Sequence, residues 1–210
     1  MIELFGSAFV TFLVIIDPPG CVPIFASLTR GNPAVHRRAM AIRSAFLAWI
    51  ILMFFALLGK PMLHALGISL ASFRIAGGIM LFFIALEMVF EKRTQRREER
   101  AQSIEGTPEA EDISVFPMAI PMIAGPGSIA SAMLLVSRAD GYAEIGVVLG
   151  AMTIVILITG AALLSAGGLM KLMGERIEAM ISRLLGVILA ALAAQFVVDG
   201  LRQSFPSLSG

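Results

Sequence analysis

Apolar runs of bilayer length alternate with short polar breaks along the whole chain. A helix needs about 20 predominantly apolar residues to cross about 30 Å of hydrocarbon. By this criterion the predicted spans are residues 4–29, 39–59, 68–90, 114–137, 144–168 and 178–201. The polar breaks between them cover residues 29–38, 59–64, 91–112, 137–144 and 171–178. The pattern predicts an all-α, polytopic membrane protein with six transmembrane helices.

Composition agrees with this pattern and excludes several classes of protein. Hydrophobic residues make up 58% of the chain and charged residues 15%, with a mean hydropathy of +0.89. The lipid bilayer is therefore the expected partner, and the net charge of +1 gives no signal for nucleic acid. A single cysteine, Cys21, excludes an intrachain disulfide, and His36 and His64 lack metal-ligand spacing. No metal site and no cofactor is predicted.

Proline and glycine interrupt the first and fourth predicted spans near their centres. In hydrocarbon an unpaired backbone N–H or C=O costs several kcal/mol, so broken backbone at that depth must be shielded by protein or line a cavity. Two interruptions at matched depth predict a binding site halfway across the membrane. The candidate binding residues are Asp17, Pro18, Pro19, Gly20, Cys21 and Pro23 in the first span and Gly125, Pro126, Gly127 and Ser128 in the fourth.

The interruptions expose two kinds of backbone group. Because proline has no N–H, the carbonyls of Val14, Ile15, Pro19 and Met122 lose their usual helical donor. Those oxygens suit a cation, an ammonium group or water. A new half-helix beginning at Cys21 or Ser128 would present free N–H groups and a partial positive charge, which suit a carboxylate. Together the two kinds of group suit a zwitterion.

Two polar residues in the spans each allow two interpretations. A carboxylate near mid-bilayer costs about 2.5–3.5 kcal/mol on insertion scales, so Asp17 is expected to have a partner or a function. The Asp-Pro sequence is also a strong N-cap signal, so capping alone and binding of a ligand or proton both stay open. Gln195 either hydrogen-bonds between helices or reaches the ligand, and the sequence does not separate these roles.

The two halves of the chain resemble each other. Residues 17–20 pair with 124–127, residues 63–67 with 170–174, and residues 74–77 with 183–186, at nearly one sequence offset. Three spans per half make the second half enter from the opposite face, which predicts inverted repeats; chance similarity of apolar segments is the alternative. The predicted division is residues 1–90, a charged, solvated linker at 91–113, and residues 114–210.

The distribution of basic residues predicts the orientation of the chain in the membrane, and small residues predict where helices pack closely. Basic residues concentrate in the breaks after the first, third and fifth spans, so these breaks are predicted to be cytoplasmic and both termini to lie outside. This orientation assumes that both interrupted segments cross the membrane. The pairs Gly77-Gly78 and Gly146/Gly150 predict close helix packing. The sequence leaves a homo-oligomer open.

Four blocks carry a resemblance to a known family: residues 16–29, 73–79, 121–129 and 194–200. They are similar to the MarC family of six-span bacterial inner-membrane proteins over nearly the full length. The resemblance implies a place in the small neutral amino acid transporter group, related to LysE-type exporters, with glycine, alanine or serine as candidate substrates. Asp17, Pro18, Gly20 and Pro23 match the first family signature, and residues 125–127 the second. Cys21 stands where members often have Asn, which bears on the substrate.

The expected function is therefore a secondary transporter of a small neutral amino acid or similar metabolite. It would work by alternating access around a midplane site, with Asp17 as the group that binds a coupling proton or sodium ion. The alternative is a membrane scaffold that acts through the 91–113 loop. An enzyme is not expected, because the chain lacks a phosphate-binding loop, a nucleophile elbow and a zinc-protease motif.

Overall fold

The computed structural model describes residues 1–104 and 112–205, and within them every regular element is a helix. One irregular segment, Ser114–Ile123, contains extended backbone at Phe116 and Ile120. The helices are α1 (Ile2–Ile16), α2 (Pro18–Leu28), α3 (Ala34–Ala65), α4 (Leu70–Val89), α5 (Lys92–Ile104), α6 (Pro126–Arg138), α7 (Tyr142–Leu164) and α8 (Ala166–Ser204).

Five apolar helical stretches are long enough to cross a membrane. They are Ile2–Leu28, Ala34–Ala65, Leu70–Val89, Tyr142–Leu164 and Ala179–Ser204. The irregular segment and α6 meet at a bend of 54° and make a sixth crossing when the two are counted as one span. These stretches match the apolar runs found in the sequence, and the prediction of an all-α polytopic membrane protein is confirmed.

The outer helices present apolar side chains outward. In α3, α4, α7 and α8 many large apolar side chains are exposed, among them Phe54 (50%), Phe83 (63%), Leu157 (65%) and Val187 (60%). Burying apolar surface is worth about 25 cal/mol per Å², so such a belt fits acyl chains and not water. By contrast, 72% of the Ile2–Leu28 window is buried, against 28% of the α4 window. The stretch that contains Asp17 therefore runs through the centre of the bundle.

Helices extend through or into the predicted polar breaks. Helix α3 continues through residues 59–64 to Ala65, and α8 continues through residues 171–178. Hydropathy marks where a chain leaves hydrocarbon, and a helix can extend beyond that point. In the predicted linker 91–113, residues 92–104 form α5, while residues 105–111 lie outside the described residues.

Glycine brings α4 and α8 together. A Cβ atom added at Gly78 would lie 2.8 Å from the carbonyl oxygen of Ala193 and 3.0 Å from the amide nitrogen of Val197, so the two backbones are in close contact. The packing prediction is confirmed at this position. A Cβ atom at Gly146 or Gly150 would meet nothing within 4 Å in the described part of the chain, so that pair does not pack within one chain and its prediction is wrong there.

Candidate functional site

Asp17 separates α1 from α2 in a left-handed backbone conformation, with φ 57° and ψ 66°. Its Oδ1 atom accepts a hydrogen bond from the N–H of Gly20 at 3.2 Å, so Asp17 caps α2. Pro18 and Pro19 have no N–H, and the N–H of Cys21 donates to the Asp17 carbonyl at 3.1 Å. Every donor of the first turn is used. The prediction that a half-helix starts at Cys21 with free N–H groups is therefore wrong, because α2 starts at Pro18.

The carbonyls released at the end of α1 are occupied by arginines of α5. Since Pro19 has no N–H to offer, the Ile15 oxygen accepts from Arg93 Nη2 at 2.6 Å. The N–H of Gly20 is diverted to Asp17, and the Ile16 oxygen contacts Arg97 Nη2 at 3.5 Å. The sequence predicted that the Ile15 oxygen suits a cation, but it did not single out the Ile16 oxygen. In the structure the cations are two guanidinium groups of the same chain.

Asp17 also forms a buried ion pair. Arg97 Nη1 lies 3.1 Å from Asp17 Oδ2, and the two side chains are only 9% and 3% exposed. The hydroxyl of Ser182, from α8, donates to Asp17 Oδ1 at 3.2 Å. The capping interpretation of Asp17 is thus correct but incomplete. Sequence reasoning missed Arg97 and Ser182; the signal available for the first was that Arg93 and Arg97 are four residues apart, on one face of a helix.

The second interruption leaves a helix N-terminus without a cap. A Cβ atom at Gly125 would lie 2.5 Å from the Pro121 carbonyl oxygen, so only glycine fits there. Pro126 is the first residue of α6, and no side chain caps the helix. The first helical bond runs from the N–H of Ile129 to the Gly125 oxygen at 3.0 Å. Among the described residues no acceptor takes the N–H of Gly127 or Ser128, so the helix start has free donors, as predicted. The helix itself starts at Pro126, two residues before the predicted start at Ser128.

A cavity of about 650 Å³ lies between the end of α1, helices α4 and α5, and the start of α6. A Cβ atom at Gly127 would be 3.4 Å from Ile15 Cγ2, so the end of α1 and the start of α6 are neighbours. The cavity extends along α4 from Ala76 to Glu87 and so passes the middle of that helix. Its walls include Ile15, Ile79, Met80, Phe83, Glu87, Arg93, Arg96, Arg97, Pro121, Met122, Gly125, Pro126, Gly127 and Ser128.

Arginine dominates the polar end of the cavity. Arg96 pairs with Glu87 at 2.5 Å, and the Arg96 side chain is 63% exposed, so this pair lies at the mouth. Arg93 donates to the Ile15 carbonyl and to the sulfur of Met88, and no described carboxylate is within ion-pair distance of it. Burial and the nearby Arg97 guanidinium lower the pKa of Arg93 to about 10, so it stays charged at neutral pH.

The predicted site residues fall into three groups. Residues 125–128 line the cavity. None of the predicted residues between 17 and 23 lines the cavity; Asp17 is separated from it by Arg97, which lines the wall and pairs with the Asp17 carboxylate. Gln195 belongs to neither group, because its Nε2 donates to Asp199 Oδ1 at 2.7 Å and the same carboxylate pairs with Arg138. The structure does not bring Gln195 to the cavity.

Fold and site together define a polytopic, all-helical membrane protein with a cavity next to the end of α1 and the start of α6. The profile described as "MarC family integral membrane protein" matches residues 2–205. The chain therefore belongs to the MarC family of integral membrane proteins.

Related proteins occur in archaea and bacteria. UPF0056 membrane protein MJ1677 of Methanocaldococcus jannaschii is 36% identical over 201 residues, which cover 96% of this chain and 97% of that protein. UPF0056 membrane protein YvbG of Bacillus subtilis is 32% identical over 209 residues, covering 100% and 99%. UPF0056 inner membrane protein YhgN of Escherichia coli K12 is 32% identical over 200 residues, covering 93% and 95%. No solved structure matches the chain.

Proposed function

We propose that the protein is a secondary transporter of a small neutral amino acid or a similar metabolite, in the inner membrane. The observation that carries this proposal is the cavity of about 650 Å³ beside the middle of α4. Sites for small molecules have volumes of about 300–1,000 Å³ and combine apolar walls with a few polar groups. Here the walls of α1 and α4 are apolar except for Glu87, and the other polar groups come from α5 and the start of α6.

The contacts between α4 and α8 support an inverted repeat. Arg74, near the start of α4, donates to Gln203, near the end of α8, at 2.9 Å. At the opposite end of the same helix pair, Arg183 of α8 pairs with Glu91, just beyond α4. Arg74 and Arg183 are equivalent positions in the repeat found in the sequence. The arginine near the start of each region therefore contacts a residue near the end of the other. A two-fold axis in the membrane plane produces this arrangement, and transporters that work by alternating access commonly have such symmetry.

Asp17 is the proposed coupling group, and its ligand would be a proton or a sodium ion. It is a buried carboxylate whose partner, Arg97, forms part of the cavity wall. Neutralising Asp17 would release Arg97 and change the charge that faces the substrate. In this proposal both termini face outward, the end of α4 that adjoins α5 faces the cytoplasm, and no covalent catalysis takes place.

Flux measurements in vesicles test the proposal. The purified protein is reconstituted, and uptake of labelled glycine or alanine is measured under an imposed proton or sodium gradient. We expect uptake above that of protein-free vesicles, and reduced uptake for Asp17→Asn. Equal flux in Asp17→Asn would remove the coupling role, and absence of glycine, alanine and serine flux under both gradients would refute amino acid transport.

Two serines of α6 provide a matched pair of variants. Ser128 and Ser131 are both buried, at 2% and 0% exposure, but only Ser128 lines the cavity. Each loses the same hydroxyl when changed to alanine. We expect Ser128→Ala to raise the KM for transport and Ser131→Ala to leave the KM unchanged. A similar change of KM in both variants would show that the cavity is not part of the transport path.

The structure changes how the scaffold alternative must be tested. Deleting the 91–113 loop would remove Arg97 and leave Asp17 buried without its ion pair, so loss of activity after deletion would not distinguish the two functions. Glu98 and Glu99 of α5 are exposed and can be changed instead. A scaffold acting through this loop predicts loss of the cellular phenotype in Glu98→Ala/Glu99→Ala with unchanged flux; a transporter predicts that both are kept.

A further inference from the structure

The polar end of the cavity holds more positive than negative charge. Arg93, Arg96 and Arg97 line it, and Glu87 is the one carboxylate among its described lining residues. Glu87 is paired with Arg96, and Arg97 is paired with Asp17 behind the wall. Arg93 is left with two neutral partners, a carbonyl oxygen and a thioether sulfur. A guanidinium that is partly withdrawn from water and lacks a counterion is expected to attract an anion.

The start of α6 provides hydrogen-bond donors to the same space. Gly127 and Ser128 line the cavity, and among the described residues nothing accepts from their N–H groups. The Ser128 side chain supplies an independent observation. Ser128 is 2% exposed as a residue and lines the cavity, and its hydroxyl makes no hydrogen bond within the described residues. Because this hydroxyl oxygen is accessible from the cavity, unlike the buried hydroxyl oxygen of Ser131, it is available to a ligand or to water.

We propose that Arg93, the Ser128 hydroxyl and the free N–H groups at the start of α6 form an anion subsite that binds the carboxylate of the substrate. Arg93 supplies the charge and a planar pair of N–H donors that matches a carboxylate. Ser128 and the helix start supply neutral donors and the positive end of the helix dipole. The inference rests on the proposed transport for its biological meaning, but binding can be measured without transport.

The location of the subsite follows from which donors are already engaged. At the first interruption, the N–H groups of Gly20 and Cys21 are used by Asp17, so α2 cannot bind an anion. Arg97 is also engaged, by the Asp17 carboxylate at 3.1 Å. Among the described lining residues, Arg93 and the α6 start combine access to the cavity with donors that no carboxylate accepts. The structure thus assigns the carboxylate to one interruption, whereas the sequence offered both.

Thermal unfolding of the full chain in detergent tests the subsite. Sodium acetate, acetamide and inorganic phosphate are titrated at constant ionic strength, and the apparent Kd is taken from the concentration dependence of the melting temperature. Acetate should stabilise the protein, and acetamide, which has the same shape without the charge, should not. Stabilisation by acetamide equal to that by acetate would overturn the proposal. Stabilisation by phosphate without acetate would overturn the assignment to a carboxylate.

Variants locate the effect. Arg93→Gln keeps an amide donor but has no charge, and we expect it to weaken acetate binding by about tenfold or more. Ser128→Ala should weaken it by about threefold to tenfold. The controls are Arg43→Gln, an exposed arginine outside the cavity, and Ser131→Ala, and both should keep the wild-type Kd. An unchanged Kd in Arg93→Gln would refute the subsite.

Two safeguards keep the result interpretable. Should Arg93→Gln fail to fold, Arg93→Lys keeps the charge but not the planar donor pair, and Ser128→Ala tests the α6 start by itself. Failure of this inference differs from failure of transport. If acetate binding depends on Arg93 but the protein shows no glycine flux, the subsite is supported and amino acid transport is refuted. If Arg93→Gln transports glycine with the wild-type KM, the subsite is refuted and the transport proposal still holds.

Discussion

The ion pair between Asp17 and Arg97 should make a measurable contribution to the folding of the protein. Their charged atoms are 3.1 Å apart, and the side chains are 3% and 9% exposed, so water cannot replace either partner. Changing Arg97 to Gln leaves a buried carboxylate without its counterion. Asp17→Asn leaves the opposite charge, although the amide oxygen can still accept from the N–H of Gly20.

The expected size of each effect follows from what is left buried. Removing one partner of a buried pair costs about 3–5 kcal/mol, because the other charge has lost its compensation. The double variant Asp17→Asn/Arg97→Gln contains neither charge, so its loss should be smaller than the sum of the two single losses, by about 1–3 kcal/mol. For a chain of this length the Arg97→Gln loss corresponds to a fall of about 6 °C or more in the melting temperature.

The assay is thermal unfolding of the four proteins in one detergent, with a second arginine–aspartate pair as the control. Arg43 and Asp112 are 2.8 Å apart, but their side chains are 60% and 42% exposed. An exposed pair contributes about 0–1 kcal/mol, so Arg43→Gln should lower the melting temperature by little. Losses in the Asp17 and Arg97 variants that simply add, or an Arg97→Gln effect no larger than that of Arg43→Gln, would refute the reasoning.

Packing yields three further predictions, each checked by the melting temperature of the purified variant. Gly78→Ala should destabilise the protein by about 1–3 kcal/mol, because its Cβ atom would meet backbone atoms of Ala193 and Val197; a neutral effect would contradict the close packing of α4 and α8. Gly146→Ala meets nothing within 4 Å and should stabilise α7 by about 0.4–1 kcal/mol. Trp49→Phe loses the bond to Thr153 Oγ1 at 3.0 Å and should cost about 0.5–1.5 kcal/mol plus lost ring area.

Hydropathy located the transmembrane helices because the bilayer imposes one strong, local requirement on sequence. Twenty apolar residues in a row have few alternatives to a spanning helix, and the five stretches that are long enough to cross the membrane lie close to their predicted positions. Proline and glycine marked the interruptions for a similar reason, since the loss of an N–H or the need for a bare Cα is readable at a single position. Pro19 and Gly125 are the clearest examples.

The remainder of the site depends on contacts that a linear pattern does not contain. A hydropathy profile assigns Arg93 and Arg97 to solvent, yet Arg97 is 7% exposed because its partner is 80 positions earlier in the chain. For Gln195 the sequence suggested a buried role that the structure does not show. Its depth in a span was visible in the sequence, but the direction of its side chain around α8 was not, and it faces Asp199.

The positions of the arginines also constrain how an amino acid would lie in the cavity. The Ile15 and Ile16 carbonyls, which suit an ammonium group, are occupied by Arg93 and Arg97 in this conformation. With the carboxylate at Arg93, the ammonium group of a zwitterion needs an acceptor elsewhere on the wall. Glu87 provides one, because it lines the cavity and its side chain remains 23% exposed despite the pair with Arg96.

Glu87→Gln therefore separates a zwitterion from a simple anion. Loss of the negative charge should weaken glycine binding by about tenfold, since a charged hydrogen bond is worth about 1.5–3 kcal/mol. Acetate has no ammonium group, so its affinity should stay the same or rise as the cavity becomes more positive. The measurement is the ratio of the glycine and acetate Kd values in wild type and Glu87→Gln, from the same melting titrations. A ratio that does not change would show that the ammonium group does not contact Glu87, and the orientation argued from Arg93 would have to be abandoned.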